Sequence, residues 1–259
     1  MIEKNELSRE LLLKYLKRLK LNGLNTVLNQ VLDDAKGSRL TPTETLAYAL
    51  GLEVQCREQK RIQLGLTLAH FPRVCTLEDY DFKAQEGVDP GAIRELARLE
   101  WIEQKKNLLF LGPPGVGKTH LAIALGRIAI EQGYATTFIT ATELAKQLEV
   151  ADRDGTLERK LLQYAKPKLL IIDEIGYLPV KPQTAYLIFQ LVSARYETSS
   201  IILTSNRPVG EWGLVFGDPT ATTAILDRVL HHSEVITIRG ESYRLLEKRR
   251  NGLLKVNKD

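Results

Sequence analysis

The chain has 259 residues, which is long for one compact domain and enough for a small domain and a larger one. Hydrophobic residues make up 44% and charged residues 26%, as in globular proteins with a substantial core, and the formal net charge is only +4. No run of about 18 apolar residues is present to span a membrane, and the first ten residues lack the apolar stretch of a secretory signal. With two cysteines that share no metal-ligand spacing, these features predict a cytoplasmic protein with reduced thiols.

The first part of the chain, residues 1–70, has the apolar spacing of helices and predicts a small all-α N-terminal domain. Apolar residues recur at intervals of three and four over 12–19 and again over 24–32. A third helix is expected to begin at Thr41, where Glu44 completes a capping box. The first and third of these helices also carry closely spaced lysines and arginines, so the domain has a basic stripe.

The rest of the chain changes character after residue 70. Residues 71–92 contain prolines and glycines that interrupt regular structure, and we interpret them as a linker. A helix over 93–104 follows, and short apolar runs rich in branched residues then alternate with helical segments. This alternation predicts an α/β domain over 93–259, with a parallel five-stranded sheet flanked by helices. The expected strands are 107–111, 136–140, 169–172, 201–204 and 235–238, and the expected helices include 120–132, 157–165 and 184–196.

The C-terminal tail of this domain is basic. Between residues 239 and 258, lysines and arginines outnumber acidic residues. A local excess of this kind can bind phosphate, but it is equally typical of a solvated tail, and the sequence leaves both interpretations open.

A phosphate-binding loop is the clearest motif. The segment Gly-Pro-Pro-Gly-Val-Gly-Lys-Thr fits the loop pattern in full, and it follows a predicted strand and opens a predicted helix, as the motif requires. Its glycines let backbone N–H groups curl around phosphate oxygens at the positive end of the helix dipole. Lys118 is expected to neutralise the β- and γ-phosphates of ATP, and the Thr119 hydroxyl to bind Mg²⁺. The predicted nucleotide-binding residues here are Gly112, Pro113, Pro114, Gly115, Val116, Gly117, Lys118, Thr119 and His120.

A second motif places two carboxylates at the end of a buried strand. Four apolar residues, 169–172, are followed by Asp173 and Glu174. The carboxyl end of this strand is expected to lie beside the phosphate loop, where Asp173 can hold Mg²⁺. Glu174 supplies the carboxylate that a hydrolase needs to polarise the attacking water. An aspartate alone would support nucleotide binding, and the added glutamate indicates hydrolysis of ATP to ADP and phosphate.

Two further residues are candidates for the γ-phosphate side of the site. Asn206 follows the apolar run 201–204, and its amide can orient water, although an asparagine before Pro208 can also serve only to form a turn. Arg228 follows an apolar helical patch and can complete a neighbouring subunit's site, because a cation at the γ-phosphate stabilises the transition state. An ordinary surface arginine is the alternative that the spacing leaves open.

Several segments together resemble a known family. The segment 169–178, LLIIDEIGYL, resembles the IstB-like ATPases, the helper proteins of certain bacterial insertion sequences and relatives of DnaC-type helicase loaders within the AAA+ class. The resemblance is dense from about Leu77 to Arg244 and looser but consistent over the N-terminal helices. It is also carried by Ser205-Asn206, Glu211-Trp212-Gly213, Phe216-Gly217-Asp218, Ile225-Leu226-Asp227-Arg228, His231-His232-Ser233 and Gly240-Glu241-Ser242-Tyr243-Arg244.

The resemblance implies roles for the residues that match the family's motifs. An arginine finger that acts in trans implies a homo-oligomer, either a ring or a helix, because each site is completed by its neighbour. By resemblance, Lys118 and Thr119 are the Walker A residues, Asp173 and Glu174 the Walker B pair, Asn206 the sensor 1 residue, Arg228 the arginine finger in trans, and Arg244 the sensor 2 residue that reads the γ-phosphate in cis.

The resemblance also implies partners. Proteins of this kind bind duplex DNA with little sequence preference when ATP is bound, and they recruit and stimulate a partner transposase. We therefore expect an ATP-dependent regulator of transposition that uses ATP and Mg²⁺ and has no membrane partner. The N-terminal domain is expected to bind DNA or the partner, and by charge alone its candidate DNA contacts are Lys14, Lys17, Arg18, Arg57, Lys60 and Arg61.

Three other functions remain open at the level of the sequence. A replicative helicase loader has the same ATPase core but binds a helicase and single-stranded DNA. A nucleotide kinase also uses a phosphate loop, although Glu174, Asn206 and Arg228 together disfavour it. A structural DNA-coating protein would bind ATP without cleaving it.

Overall fold

The computed structural model describes residues 2–38, 40–85, 87–176, 180–243, 245 and 248. The chain divides into two units, residues 1–64 and residues 65–259, and the division falls within the third helix. In the part of the chain that the structure describes, no helix is both long enough and apolar enough to cross a membrane.

The first unit consists of helices that bury one apolar face each. Its buried core is formed by Leu16, Leu24, Leu28, Val31 and Ala49. The predicted capping box is confirmed: the backbone N of residue 44 donates to Oγ1 of residue 41 at 3.3 Å, and the backbone N of residue 41 donates to Oε2 of residue 44 at 2.8 Å. The helices are α1 (Ile2–Arg18), α2 (Asn22–Gly37) and α3 (Pro42–Ala69), the last of which continues into the second unit.

The second unit is built around a five-stranded sheet. The strand order is β2-β3-β4-β1-β5, and every pairing between neighbouring strands is parallel. The predicted five-stranded parallel sheet is therefore confirmed. The strands are β1 (Asn107–Leu111), β2 (Thr136–Thr140), β3 (Leu169–Ile175), β4 (Ser200–Ser205) and β5 (Ser233–Thr237).

Helices cover both faces of this sheet. Leu108 and Phe110 of β1 belong to the core cluster on one face, and Leu109 belongs to the cluster on the other, as the alternation of side chains along a strand requires. A sheet buried on both faces explains why its strands are continuous apolar runs in the sequence. Helices α4 (Pro90–Leu96), α5 (Glu100–Glu103) and α6 (Lys118–Glu131) pack on the first face, and α7 (Ala141–Arg153), α8 (Leu157–Ala165), α9 (Pro182–Arg195), α10 (Trp212–Phe216) and α11 (Pro219–His231) on the second.

Residues 71–92, interpreted from the sequence as a linker, pack into the core cluster on the first face. Cys75, Tyr80 and Val88 are buried there. The backbone at Gly87 runs close to the segment after β5. A Cβ atom at Gly87 would lie 2.4 Å from the carbonyl oxygen of Arg239. The structure thus joins this segment to the second unit, because its apolar side chains are removed from water only against the sheet.

Arg195, at the end of α9, is a buried cation that connects three parts of the second unit. Its side chain is fully buried. Nη1 donates to the carbonyl oxygens of Tyr164 at 2.7 Å and Pro167 at 2.9 Å, and Nη2 donates to that of Ser200 at 2.6 Å. One guanidinium therefore donates hydrogen bonds to carbonyl groups at the end of α8, in the segment that leads into β3 and at the start of β4.

We expect Arg195→Leu to lower the free energy of unfolding by roughly 3 kcal/mol or more, because several buried carbonyl groups would lose their donor. Urea unfolding followed by circular dichroism measures the loss. Arg153→Leu is the matched control, since Arg153 is exposed and forms an ion pair with exposed Asp154 at 3.2 Å. Equal stability of the two variants would show that the Arg195 contacts contribute nothing.

Candidate nucleotide-binding site

The loop between β1 and α6 has a shape that requires glycine at several positions, of which Gly115 and Gly117 are nearest to α6. Gly115 has a φ of +84° and Gly117 a φ of +96°, both in the left-handed region that side chains disfavour. A Cβ atom at Gly115 would lie 2.2 Å from Oγ of Ser242, and one at Gly117 would lie 2.5 Å from Cε2 of Tyr80. Val116, between them, is completely buried and anchors the loop to the core.

Lys118 begins α6 and folds back over the loop. Its Nζ donates to the carbonyl oxygens of Gly112 and Pro113, each at 2.8 Å, and the residue is only 9% exposed. The ammonium group is therefore held inside the curve of the loop, next to the backbone N–H groups at the start of α6. A positive charge at a helix N-terminus is an arrangement that suits a bound anion.

Asp173, near the carboxyl end of β3, lies against the start of α6. Oγ1 of Thr119 is 2.8 Å from Oδ1 and 3.0 Å from Oδ2 of Asp173, and the aspartate is 3% exposed. Hydroxyl and carboxylate oxygens are the hard ligands that Mg²⁺ prefers. Two such groups converge here from different elements. Their oxygen atoms are therefore suitable ligands for a magnesium ion.

Glu174 and Asn206 line the same cleft as the loop. Glu174 is exposed and has a φ of +64°. Oδ1 of Asn206 is buried and, within the part of the chain that the structure describes, has no hydrogen-bond partner. Asn206 therefore places a side-chain amide in the same cleft as Glu174.

The cleft as a whole has a volume of about 200 Å³. It brings together most of the residues that the sequence singles out, while Gly112, Pro113 and Asp173 lie beside it in contact with lining residues. The lining residues are Arg73, Asp79, Tyr80, Asp81, Gln85, Pro114, Gly115, Val116, Gly117, Lys118, Thr119, His120, Glu174, Thr204, Asn206 and Tyr243.

One wall of the cleft, residues 73–85, carries no motif in the sequence. Tyr80 donates its hydroxyl to the carbonyl oxygen of Val116 at 3.1 Å, and its ring packs edge-on against Phe82 and His120 with centroids 4.7 and 5.4 Å away. Burial raises the pKa of Tyr80 to about 12. The signal that could have revealed this wall is length, because long loops without regular structure are uncommon in compact domains and often form binding sites.

Arg228 lies away from the cleft. It is near the end of α11, where Nη1 donates to the carbonyl oxygen of Ala224 at 3.2 Å and the guanidinium stacks 4.7 Å from the ring centroid of Phe189. Arg228 shares a small cavity with Asn107, the first residue of β1, at the amino ends of the strands. The cleft is at their carboxyl ends, so Arg228 does not reach the cleft of its own chain. Arg244 lies outside the described residues.

The basic residues proposed for DNA contact are all exposed, but two of them are engaged in ion pairs. Nε of Arg57 lies 2.7 Å from Oε1 of the buried Glu53, and Nη2 donates to the carbonyl oxygen of Lys20 at 3.1 Å. Arg61 pairs with Glu58 at 3.0 Å. Arg57 thus has a structural contact within the first unit, and its charge is partly balanced. The other candidates are Lys14, Lys17, Arg18 and Lys60.

Comparison with known proteins identifies the family. The family described as IstB-like ATP binding protein matches residues 14–251. The chain belongs to this family. It is 46% identical over 241 residues to a protein of insertion sequence IS5376 from Geobacillus stearothermophilus, with 93% of this chain and 96% of that one covered. It is also 46% identical over 242 residues to a protein of IS21 from Pseudomonas aeruginosa, with 93% and 91% covered.

Solved structures of replication proteins share the fold of this IstB-like chain. AMPPCP-bound DnaA from Aquifex aeolicus matches with a TM-score of 0.55 at 21% identity, covering 73% of this chain and 58% of that one. DnaI matches with a TM-score of 0.54 at 21% identity, covering 64% and 91%. Likeness at this level of identity shows the fold alone, and it confirms the predicted P-loop AAA+ architecture. By family and fold, the chain is an ATPase of the AAA+ class.

We expect Gly117→Ala to weaken ATP binding at least tenfold, because the new methyl group would meet Tyr80 and strain the left-handed backbone of the loop. Fluorescent-nucleotide titration measures the affinity. The matched control is Gly213→Ala in α10, where a Cβ atom meets nothing within 4 Å. If the alanine at 117 left the affinity at the control's value, the close approach of Tyr80 to the loop would have no bearing on binding.

Proposed function

We propose that the protein is an ATP-dependent DNA-binding ATPase that assembles on duplex DNA and recruits a transposase during DNA transposition. One observation carries the proposal. Lys118, Thr119 and Glu174 meet in a single cleft, with Asp173 held against Thr119, and the family's relatives in this comparison belong to insertion sequences. A hydrolytic site in such a setting favours a regulator whose state is set by ATP.

In this proposal the phosphates of ATP occupy the loop. Lys118 exchanges its two carbonyl contacts for the β- and γ-phosphates, and the N–H groups at the start of α6 bind the same oxygens. Thr119 and Asp173 hold Mg²⁺, which when bound supplies the positive charge that neutralises the phosphates. Tyr80 and its neighbours in 73–85 close the remaining wall around the nucleotide.

Hydrolysis requires a group that polarises water and one that orients it. Glu174 is the exposed carboxylate of the cleft, and it acts as the base. Asn206 lines the same cleft, and its side-chain amide orients the water. With both groups present, the cleft supports cleavage of ATP as well as binding, which favours an ATPase over a coat protein.

The position of Arg228 supports a homo-oligomer. Since Arg228 lies at the amino ends of the strands, it cannot complete the cleft at their carboxyl ends in the same chain. In a head-to-tail pair, the amino ends of the strands of one subunit would face the carboxyl ends of the strands of its neighbour. Arg228 would then lie at the γ-phosphate in the neighbour's cleft. Head-to-tail contacts of this kind build rings or helices, as an assembly along DNA requires.

DNA binding is assigned to the helical first unit and to phosphate contacts. Lys14, Lys17, Arg18 and Lys60 are exposed cations there, and the ion-paired Arg57 and Arg61 lie on the same helix as Lys60. Phosphate contacts of this kind confer little sequence preference and weaken steeply with salt. With DNA as its partner, the protein is assigned to the cytoplasm.

We expect Glu174→Gln to bind ATP but not to cleave it, and so to form a stable ATP-bound oligomer on DNA. Analytical ultracentrifugation and electron microscopy measure its assembly on duplex and on single-stranded DNA, with and without ATP. Glu158→Gln, an exposed glutamate of α8, is the matched control and should disassemble like the wild type.

Large ATP-dependent complexes on duplex DNA of arbitrary sequence would support the proposal. Rapid disassembly of Glu174→Gln would count against the mechanism. Assembly confined to single strands, or none unless a replicative helicase is added, would instead indicate a helicase loader.

We expect Arg228→Ala to lower ATP turnover by about a thousandfold or more while nucleotide affinity is unchanged. A mixing experiment tests action in trans. Lys118→Ala subunits lack a working cleft but supply Arg228, and Arg228→Ala subunits supply the cleft, so mixed oligomers should regain activity that neither variant has alone. Arg159→Ala on α8 is the surface control. Wild-type turnover by Arg228→Ala would reduce Arg228 to a surface residue.

A further inference from the structure

The strand that carries Asp173 and Glu174 contains a bulge at these two residues. In the pairing of β3 with β4, Ile172 is opposite Leu203, but the next paired residues are Ile175 and Ser205. Three steps along β3 therefore match two steps along β4. One extra residue is accommodated on β3, so that Asp173 and Glu174 together face the single residue Thr204.

This bulge decides where the two carboxylates point. Neighbouring residues of a regular strand face opposite sides of the sheet, so an unbroken β3 would separate Asp173 from Glu174. Instead Glu174 adopts a left-handed φ of +64°, an uncommon conformation for a glutamate that surrounding contacts must hold. Asp173 stays 3% exposed beside Thr119, while Glu174 is exposed in the cleft.

Thr204 supplies two contacts that hold the bulge. Its hydroxyl accepts a hydrogen bond from the backbone N–H of Glu174 at 2.9 Å and donates one to Oδ1 of Asp173 at 2.5 Å. The side chain is 1% exposed, so no solvent competes for either bond. The N–H of Glu174 has lost its place in the strand ladder, and the hydroxyl replaces the missing partner.

We propose that Thr204 is a positioning residue for ATP hydrolysis, which fixes Asp173 and Glu174 in one arrangement through a single hydroxyl. The inference rests on the proposed roles of these two carboxylates. A hydroxyl is needed because the group must be a donor and an acceptor at once. Valine has the same shape but can be neither, whereas serine can be both.

Three variants separate this role from packing. Thr204→Val removes the hydroxyl, and Thr204→Ser retains it in a smaller side chain. Thr136→Val, on the edge strand β2, removes a buried hydroxyl that donates to the carbonyl oxygen of Tyr134 at 3.1 Å and lies away from the two carboxylates. We expect kcat of Thr204→Val to fall roughly 10- to 100-fold, as when the partner that orients an active-site ligand is lost. The affinity for ATP without Mg²⁺ should stay within about twofold, because the loop is untouched.

Two readouts do not depend on turnover. Amide hydrogen exchange of the peptide 169–176 should accelerate in Thr204→Val and not in Thr204→Ser, because the N–H of Glu174 loses its acceptor. The Mg²⁺ concentration that half-saturates tight ATP binding should rise roughly tenfold in the valine variant, since Asp173 loses its orientation. Thr204→Ser should keep most of the turnover, and Thr136→Val should behave as wild type.

The outcomes also separate this inference from the proposed function. If Glu174→Gln abolishes turnover while Thr204→Val matches wild type in kcat, Mg²⁺ dependence and exchange, the role of Thr204 is overturned and the ATPase proposal stands. Equal losses in the valine and serine variants would mean that packing, not the hydroxyl, matters, which also overturns it. If the wild type does not hydrolyse ATP at all, the proposed function fails, and the exchange and Mg²⁺ titrations still decide the role of Thr204.

Discussion

The hydrogen bonds to the carboxylate of Asp173 join the three elements on which the nucleotide cleft depends. Thr119 reaches this carboxylate from α6, Thr204 reaches it from β4, and Asp173 itself extends the apolar run of β3. A carboxylate that is 3% exposed would be costly without donors, and the two hydroxyls supply them. The loop, the sheet and the helix are therefore joined by one shared polar contact.

The packing around this contact holds the phosphate-binding loop in its shape. Val116 is buried under the loop, Tyr80 closes against Gly117, and Lys118 is held by two carbonyl oxygens of the loop itself. Each of these contacts comes from a different direction. A loop that is already shaped for phosphate loses less conformational entropy on binding, which favours affinity.

The two ends of the parallel strands have different roles in the proposed function. The cleft is at the carboxyl ends of the strands, and Arg228 is at the amino ends beside Asn107. In the proposed homo-oligomer, a head-to-tail contact would bring these two ends together, and such contacts propagate into a ring or a helix. In the proposed function ATP joins subunits and hydrolysis releases them, because the γ-phosphate is the group that both ends contact.

The sequence alone determined the features that depend on short stretches of chain. The glycines of the loop, the apolar runs of β1 and β2 with their observed ends, and the adjacent carboxylates of β3 are local patterns, and the sheet and the position of the loop follow from them. Tertiary structure alone decided that residues 71–92 belong to the second unit, that Tyr80 forms a wall of the cleft, and that Thr204 faces a bulge. The reason is distance along the chain: Tyr80 and Val116 are 36 residues apart, and Thr204 and Asp173 are 31 apart. Which of many hydroxyls meets a given partner depends on the packing of whole elements, and no local pattern encodes it.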